Sequence, residues 1–201
     1  HDIEVLKNRA VYDKVVYSIQ GKDFYQNLHE YKKFCDEVTG KWCLEIGSGP
    51  MGLLPLMPWI KKRIIIDPLV NSYREIQLEY FNKTLFTESI ICYSQNAEDF
   101  IPDLENSITG FIISRNTLDH CDDPWKVLEN IGRYAHAGCI LLLWNDLWHL
   151  YDLDEKHRNI TKDRDLFEKT IVGLGFKICR SFSDIRSDRS TIEYGCVAIK
   201  L

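Results

Sequence analysis

Glu45 stands two residues before Gly47 in the run Trp42-Cys43-Leu44-Glu45-Ile46-Gly47-Ser48-Gly49-Pro50-Met51-Gly52, and Asp67 follows twenty residues after that glycine. Gly47 and Gly49 let the backbone turn sharply and approach a ligand with no Cβ in the way. The N–H groups of such a turn, at a helix start, suit a carboxylate or a phosphate. Glu45 speaks against a phosphate, since two anions would face one another there. An acid at the spacing of Asp67 can accept hydrogen bonds from both hydroxyls of a ribose; otherwise Asp67 closes a strand ahead of Pro68. Asn96 offers the donor and acceptor that an adenine edge needs, or is a plain loop residue.

Further along, Ser114 to His120 and Asn145-Asp146 bring another polar set. His120 ionises near neutrality and is the candidate general base for a nucleophile that must lose a proton; the alternative is a loop histidine bonded to backbone. Asp119 either orients His120 or is a helix-start acid. His149 and His157 read as solvent-facing. Trp144, Trp148 and Tyr151 could line an apolar pocket, so His120, Asn145, Trp148 and His149 mark the candidate acceptor side. Asp119, Asn145 and Asp146 are oxygen donors of the kind Mg²⁺ prefers, but Asp119 falls several residues past the expected strand end, and no resident metal is expected.

These residues need a scaffold that gathers them, and the chain alternates strands with helices. Expected strands are Trp42 to Ile46, Arg63 to Asp67, Ser89 to Tyr93, Ile108 to Ser114, Cys139 to Trp144, Phe176 to Phe182 and Thr191 to Leu201. Between them lie a short helix over 52–60 limited by Pro55 and Pro58, and a helix over 71–81 with Tyr73, Ile76, Tyr80 and Phe81 inward. Asp123-Pro124 opens a third, burying Val127, Leu128, Ile131 and Tyr134. Thr161 caps a fourth, with Leu166, Phe167, Thr170, Ile171 and Leu174 inward. Strands apolar throughout imply an α/β fold with a parallel sheet covered on both faces. No helix separates the last two strands, so they pair antiparallel. Residues 2–38 read as two helical pieces, giving an N-terminal helical cap or lid over 1–40 and a main domain over 41–201. In such a sheet, ligands lie beyond the carboxyl ends of the strands, where the strand order reverses.

The chain has 201 residues, 45% hydrophobic and 27% charged, with 25 basic against 30 acidic side chains and a net charge of −5. That balance argues against a nucleic-acid partner. Seven scattered cysteines without a C-x-x-C pair fit neither a disulfide framework nor a zinc site, and point to a reducing, cytoplasmic setting. No apolar run approaches the ~18 residues of a membrane span, and no signal peptide is expected. Oligomeric state is left open.

Leu44-Glu45-Ile46-Gly47-Ser48-Gly49-Pro50 resembles motif I of the class I S-adenosylmethionine (SAM)-dependent methyltransferases, and Ile64-Ile65-Ile66-Asp67-Pro68 resembles their motif II, whose acid holds the ribose. Asn96-Ala97-Glu98-Asp99 is similar to their adenine-side motif, with Asn for the usual Asp. Ser114-Arg115-Asn116-Thr117-Leu118-Asp119-His120-Cys121-Asp122-Asp123-Pro124 resembles the segment after strand four in the small-molecule, type 11 (ubiquinone-biosynthesis-like) branch. Tyr134-Ala135-His136-Ala137-Gly138 departs from the usual Leu-Lys-Pro-Gly-Gly turn. The resemblance spans roughly 41–200. It implies a Rossmann-like, doubly wound, seven-stranded sheet, mostly parallel with an antiparallel last strand and helices on both faces. It implies SAM as cofactor and S-adenosylhomocysteine as product. Glu45, Gly47, Ser48, Gly49, Asp67, Pro68, Asn96, Ala97, Glu98, Arg115 and Asn116 are then cofactor-binding, with Glu45 facing the amine of SAM. The partner implied is a small-molecule acceptor, its nucleophile O, N or C. No Asn/Asp-Pro-Pro-Tyr/Phe motif and no Pro-Cys nucleophile follow strand four, which disfavours methylation of nucleic-acid bases. The rivals are an NAD-type oxidoreductase, which would share the glycines and Asp67, and a catalytically silent binding module.

Overall fold

The computed structural model describes residues 40–57, 60–149, 157–185 and 191–201. The expected N-terminal cap, Tyr151 and residues 186–190, between the last two strands, lie outside them. Seven strands form one sheet: β1 (Trp42–Ile46), β2 (Lys62–Ile66), β3 (Ile90–Tyr93), β4 (Phe111–Arg115), β5 (Ile140–His149), β6 (Phe176–Ile185) and β7 (Thr191–Lys200). Their order is β3-β2-β1-β4-β5-β7-β6. β1, β2, β3, β4 and β5 pair in parallel, and β7 inserts antiparallel between β5 and β6. The chain leaves β1 toward β2 on one side and β4 toward β5 on the other. That reversal opens a crevice at the carboxyl ends of β1 and β4.

The strands are apolar on both sides because both sides are covered. Leu44, Ile46, Ile64, Ile66 and Ile112 pack on one face with Val127, Leu128, Ile131 and Tyr134 of α2 (Pro124–Tyr134) and Phe167 and Ile171 of α3 (Arg164–Gly173). On the other face Cys43, Phe111 and Ile113 meet Leu54, Met57 and Ile60, while Ile65 meets Val70 and Tyr73 of α1 (Val70–Phe81). Among the described residues no helix is long and apolar enough to cross a membrane.

Several elements differ from expectation. Of the helix expected over 52–60, the described residues form one 3₁₀ turn, Leu54–Leu56, whose leading N–H groups, those of Leu53 and Leu54, are met by the Glu45 carboxylate. α1 buries Val70, Tyr73 and Gln77 rather than Tyr80, which is exposed. Gln77 is held inside by Pro50, Thr84 and Leu85. Asp163, not Thr161, caps α3 by accepting from the Leu166 N–H at 3.0 Å, and Leu166 is exposed. β5 runs on to His149 through Asn145 and Asp146. Its pairing with β7 shifts register between Asp146 and Trp148, a bulge.

Candidate functional site

The crevice is floored by the turn after β1. Gly47 has φ +68° and Gly49 φ +58°, conformations that favour glycine. Beneath them Glu45 is buried, and its carboxylate accepts from the N–H groups of Leu53 at 2.7 Å and Leu54 at 2.8 Å. Burial pushes its pKa up from 4.5 to about 7, although the two backbone bonds pull the other way. Glu45 therefore shapes the turn through the Leu53 and Leu54 N–H groups.

Asp67, at the carboxyl end of β2, reaches across to the same turn. One oxygen accepts from the Gly49 N–H at 2.9 Å and lies 3.4 Å from the Ser48 hydroxyl; the other accepts from the Leu69 N–H at 2.8 Å. Pro68 is exposed, and its carbonyl accepts from the Ser94 hydroxyl. After β3, Asn96 is exposed at the rim and Ala97 is buried beside it. Asn130 of α2 donates to the carbonyls of Ala97 and Glu98, both at 2.9 Å. The Glu98 carboxylate accepts from the N–H groups of Asp122 and Asp123. The sequence reading missed Asn130, whose one signal is a polar side chain on the buried face of α2.

The loop after β4 forms the opposite wall. Arg115 and Asn116 are exposed; the Arg115 guanidinium lies over Trp144 at 5.6 Å, and Asn116, at φ +50°, donates its N–H to the Trp144 carbonyl. The Thr117 hydroxyl lies within 3.3 Å of the Ile46, Gly47 and Arg115 carbonyls. Asn145 accepts from the N–H groups of Thr117 at 2.8 Å and Leu118 at 3.0 Å and donates to the Ser114 carbonyl at 3.2 Å. It is buried and ties the loop to β5.

Beyond Thr117, a 3₁₀ turn over Leu118–His120 carries Asp119, which has no exposed surface. One Asp119 oxygen lies 3.3 Å from Nε2 of His149 and 3.9 Å from Nε2 of His120. The His157 ring stands 4.5 Å from that of His120 and 5.1 Å from that of His149. The structure thus brings together three histidines from three segments. His149 and His157 are not the solvent-facing pair expected: the His149 side chain is 16% exposed, and His157 is half-buried. Trp148, also half-buried, lies under the Lys162 ammonium at 4.4 Å.

No family model and no curated protein matches the chain. Solved structures do. A Galdieria sulphuraria protein named as a sarcosine dimethylglycine methyltransferase is 14% identical, with 86% of this chain and 83% of that one covered, at a TM-score of 0.66. Haemonchus contortus phosphoethanolamine N-methyltransferase 2, in complex with S-adenosyl-L-methionine, is 17% identical, with 92% and 55% covered, at a TM-score of 0.64. The [4+2]-cyclase SpnF is 11% identical, with 85% and 80% covered, at a TM-score of 0.62. At these identities the likeness is one of fold. The strand order, with β7 antiparallel inside the sheet, departs from the 3-2-1-4-5-6 order of dinucleotide-binding domains. This chain has the class I fold of the SAM-dependent methyltransferases.

Proposed function

We propose that the chain binds SAM in the crevice between β1 and β4 and passes its methyl group to a small-molecule acceptor. The observation that carries this is the Asp67 carboxylate bonded to the Gly49 N–H. A carboxylate has about four acceptor positions, which suits a ribose diol laid against the turn. Asn96 at the rim would take the adenine and the Gly47–Gly49 backbone the amino-acid tail. Arg115 and Asn116 border the same opening. The sulfonium would point to the side of Asp119 and the histidines.

In the reaction, the acceptor's lone pair forms a bond to the methyl carbon as the carbon–sulfur bond breaks. The electron pair stays on sulfur, giving S-adenosylhomocysteine. Nucleophile, carbon and sulfur must be in line, so positioning does much of the work. A proton leaves the acceptor only if the nucleophile carries one. A cytoplasmic location goes with this reading, from the scattered cysteines. SpnF, named as a cyclase on this fold, gives a second reading: a SAM-fold protein that does not transfer methyl groups.

Calorimetry with S-adenosylhomocysteine and with NAD is the test. Binding of the former and not the latter is expected; the reverse would return the site to the oxidoreductases. Binding without methyl loss from SAM in the presence of amine, phenol and carboxylate acceptors would favour the second reading.

A further inference from the structure

We propose that Asp119, His120 and His157 form a binding site for one divalent transition-metal ion of the Zn²⁺ class, with Asp146 and His149 beside it. Two groups of ligand atoms share Asp119: with His120 and His157, and with Asp146 and His149; within each group the atoms lie within 4.8 Å of one another. The second oxygen of Asp119 is buried and has no hydrogen-bond partner among the described residues. A wholly buried carboxylate with an unsatisfied oxygen is costly unless a cation or donor meets it. A bound metal ion supplies such a charge.

The backbone is arranged for the same end. In a regular strand, residues three apart point to opposite faces. The bulge between Asp146 and Trp148 adds one residue and returns His149 to the side of Asp146. His149 is further held by its own N–H, which donates to the Asn159 side chain at 2.7 Å. The Asp119 carbonyl accepts from the Arg158 N–H at 2.7 Å, which fixes the segment carrying His157 against the site. His120, 39% exposed, leaves a path in from solvent.

The donor set selects the ion. Both polar atoms of Asn145 bond to backbone, so it adds no oxygen donor. One carboxylate with two imidazoles, and a further carboxylate and imidazole beside them, is a nitrogen-rich set that suits Zn²⁺ or Fe²⁺ better than Mg²⁺ or Ca²⁺. His120 then serves as a ligand, not as the lone base expected from sequence. The site rests on these side chains whether or not SAM binds.

The test is titration of chelator-treated full chain with Zn²⁺ by calorimetry, and with Co²⁺ by visible absorption. One equivalent of Zn²⁺ is expected, with Co²⁺ absorption showing nitrogen ligation. Asp119→Asn and His157→Ala should each weaken binding about tenfold or more, and His136→Ala, at an exposed histidine elsewhere, should not. If Asp119→Asn does not fold, His157→Ala at the half-exposed ligand decides. No Zn²⁺ binding, equal binding in His157→Ala, or preference for Mg²⁺ would overturn the site. S-adenosylhomocysteine titrated into the same chelated sample separates the two readings: its binding with no Zn²⁺ binding would remove the metal and leave the cofactor.

Discussion

A Cβ added to Gly47 would lie 2.1 Å from Cγ2 of Thr117, so the first glycine after β1 and the threonine after β4 are fitted to each other. The same glycine has φ +68°, and alanine there meets both a strained backbone and a clash. Gly47→Ala should cost about 3 kcal/mol in urea unfolding. Thr117→Ala removes the two nearest contacts, at 2.1 and 2.3 Å, and leaves its Cβ at 2.7 Å, so the double variant should recover only part of the summed losses, about 1 kcal/mol. Simple additivity would show that the two walls are not fitted through this pair.

Asp67→Ala should weaken S-adenosylhomocysteine binding about tenfold or more, since two bonds to a charged acceptor would be lost. It also strands the N–H groups of Gly49 and Leu69. Asp67→Asn, which keeps one carbonyl oxygen, should fall between. Unchanged affinity in both would place the ribose elsewhere.

Asn145→Ala removes the acceptor of two buried N–H groups, those of Thr117 and Leu118. The expected loss is about 3 kcal/mol in unfolding free energy. Asn145→Asp keeps that acceptor and loses the donor to Ser114, and should cost less. An equal loss would mean that the side chain's amide, not its oxygen, holds the loop.

Glu45 gives a pH dependence whose sign can be worked out. Its pKa is about 7 in the folded chain against an ordinary 4.5. The folded state holds this proton more tightly, so the group's contribution is fully present below the ordinary value. It is lost as pH rises through about 7. The stability difference between the natural chain and Glu45→Gln should therefore drift against the natural chain by about 3 kcal/mol across that window. Parallel pH profiles for the two proteins would show that Glu45 ionises normally.

Much of the fold was legible because runs such as Ile64-Ile65-Ile66 are apolar on both faces and so must be central. Glu45, near the end of β1, and Asp67 and Asn96, past the ends of β2 and β3, were legible as candidates because of their position and spacing. The rest depends on partners far along the chain. Nothing near Asn145 shows that its oxygen meets Thr117, 28 residues away, and its polarity suggests a strand end where β5 in fact continues. Asn130 was hidden for the same reason: it stands as a polar side chain on the buried face of α2, but nothing near it names the carbonyls of Ala97 and Glu98 as its partners. Pro55 did signal a short helix, but not that Glu45 would take the neighbouring donors.

The bulge in β5 makes the spacing of Asp146 and His149 a matter of chain length rather than of residue type. Deleting Leu147 alone would restore the plain two-residue alternation and send His149 to the far side, with every acid and imidazole still present. Relatives aligned by residue identity would look intact after such a loss. A one-residue gap at this point is the mark by which descendants that have given up the histidine cluster would be told from those that keep it.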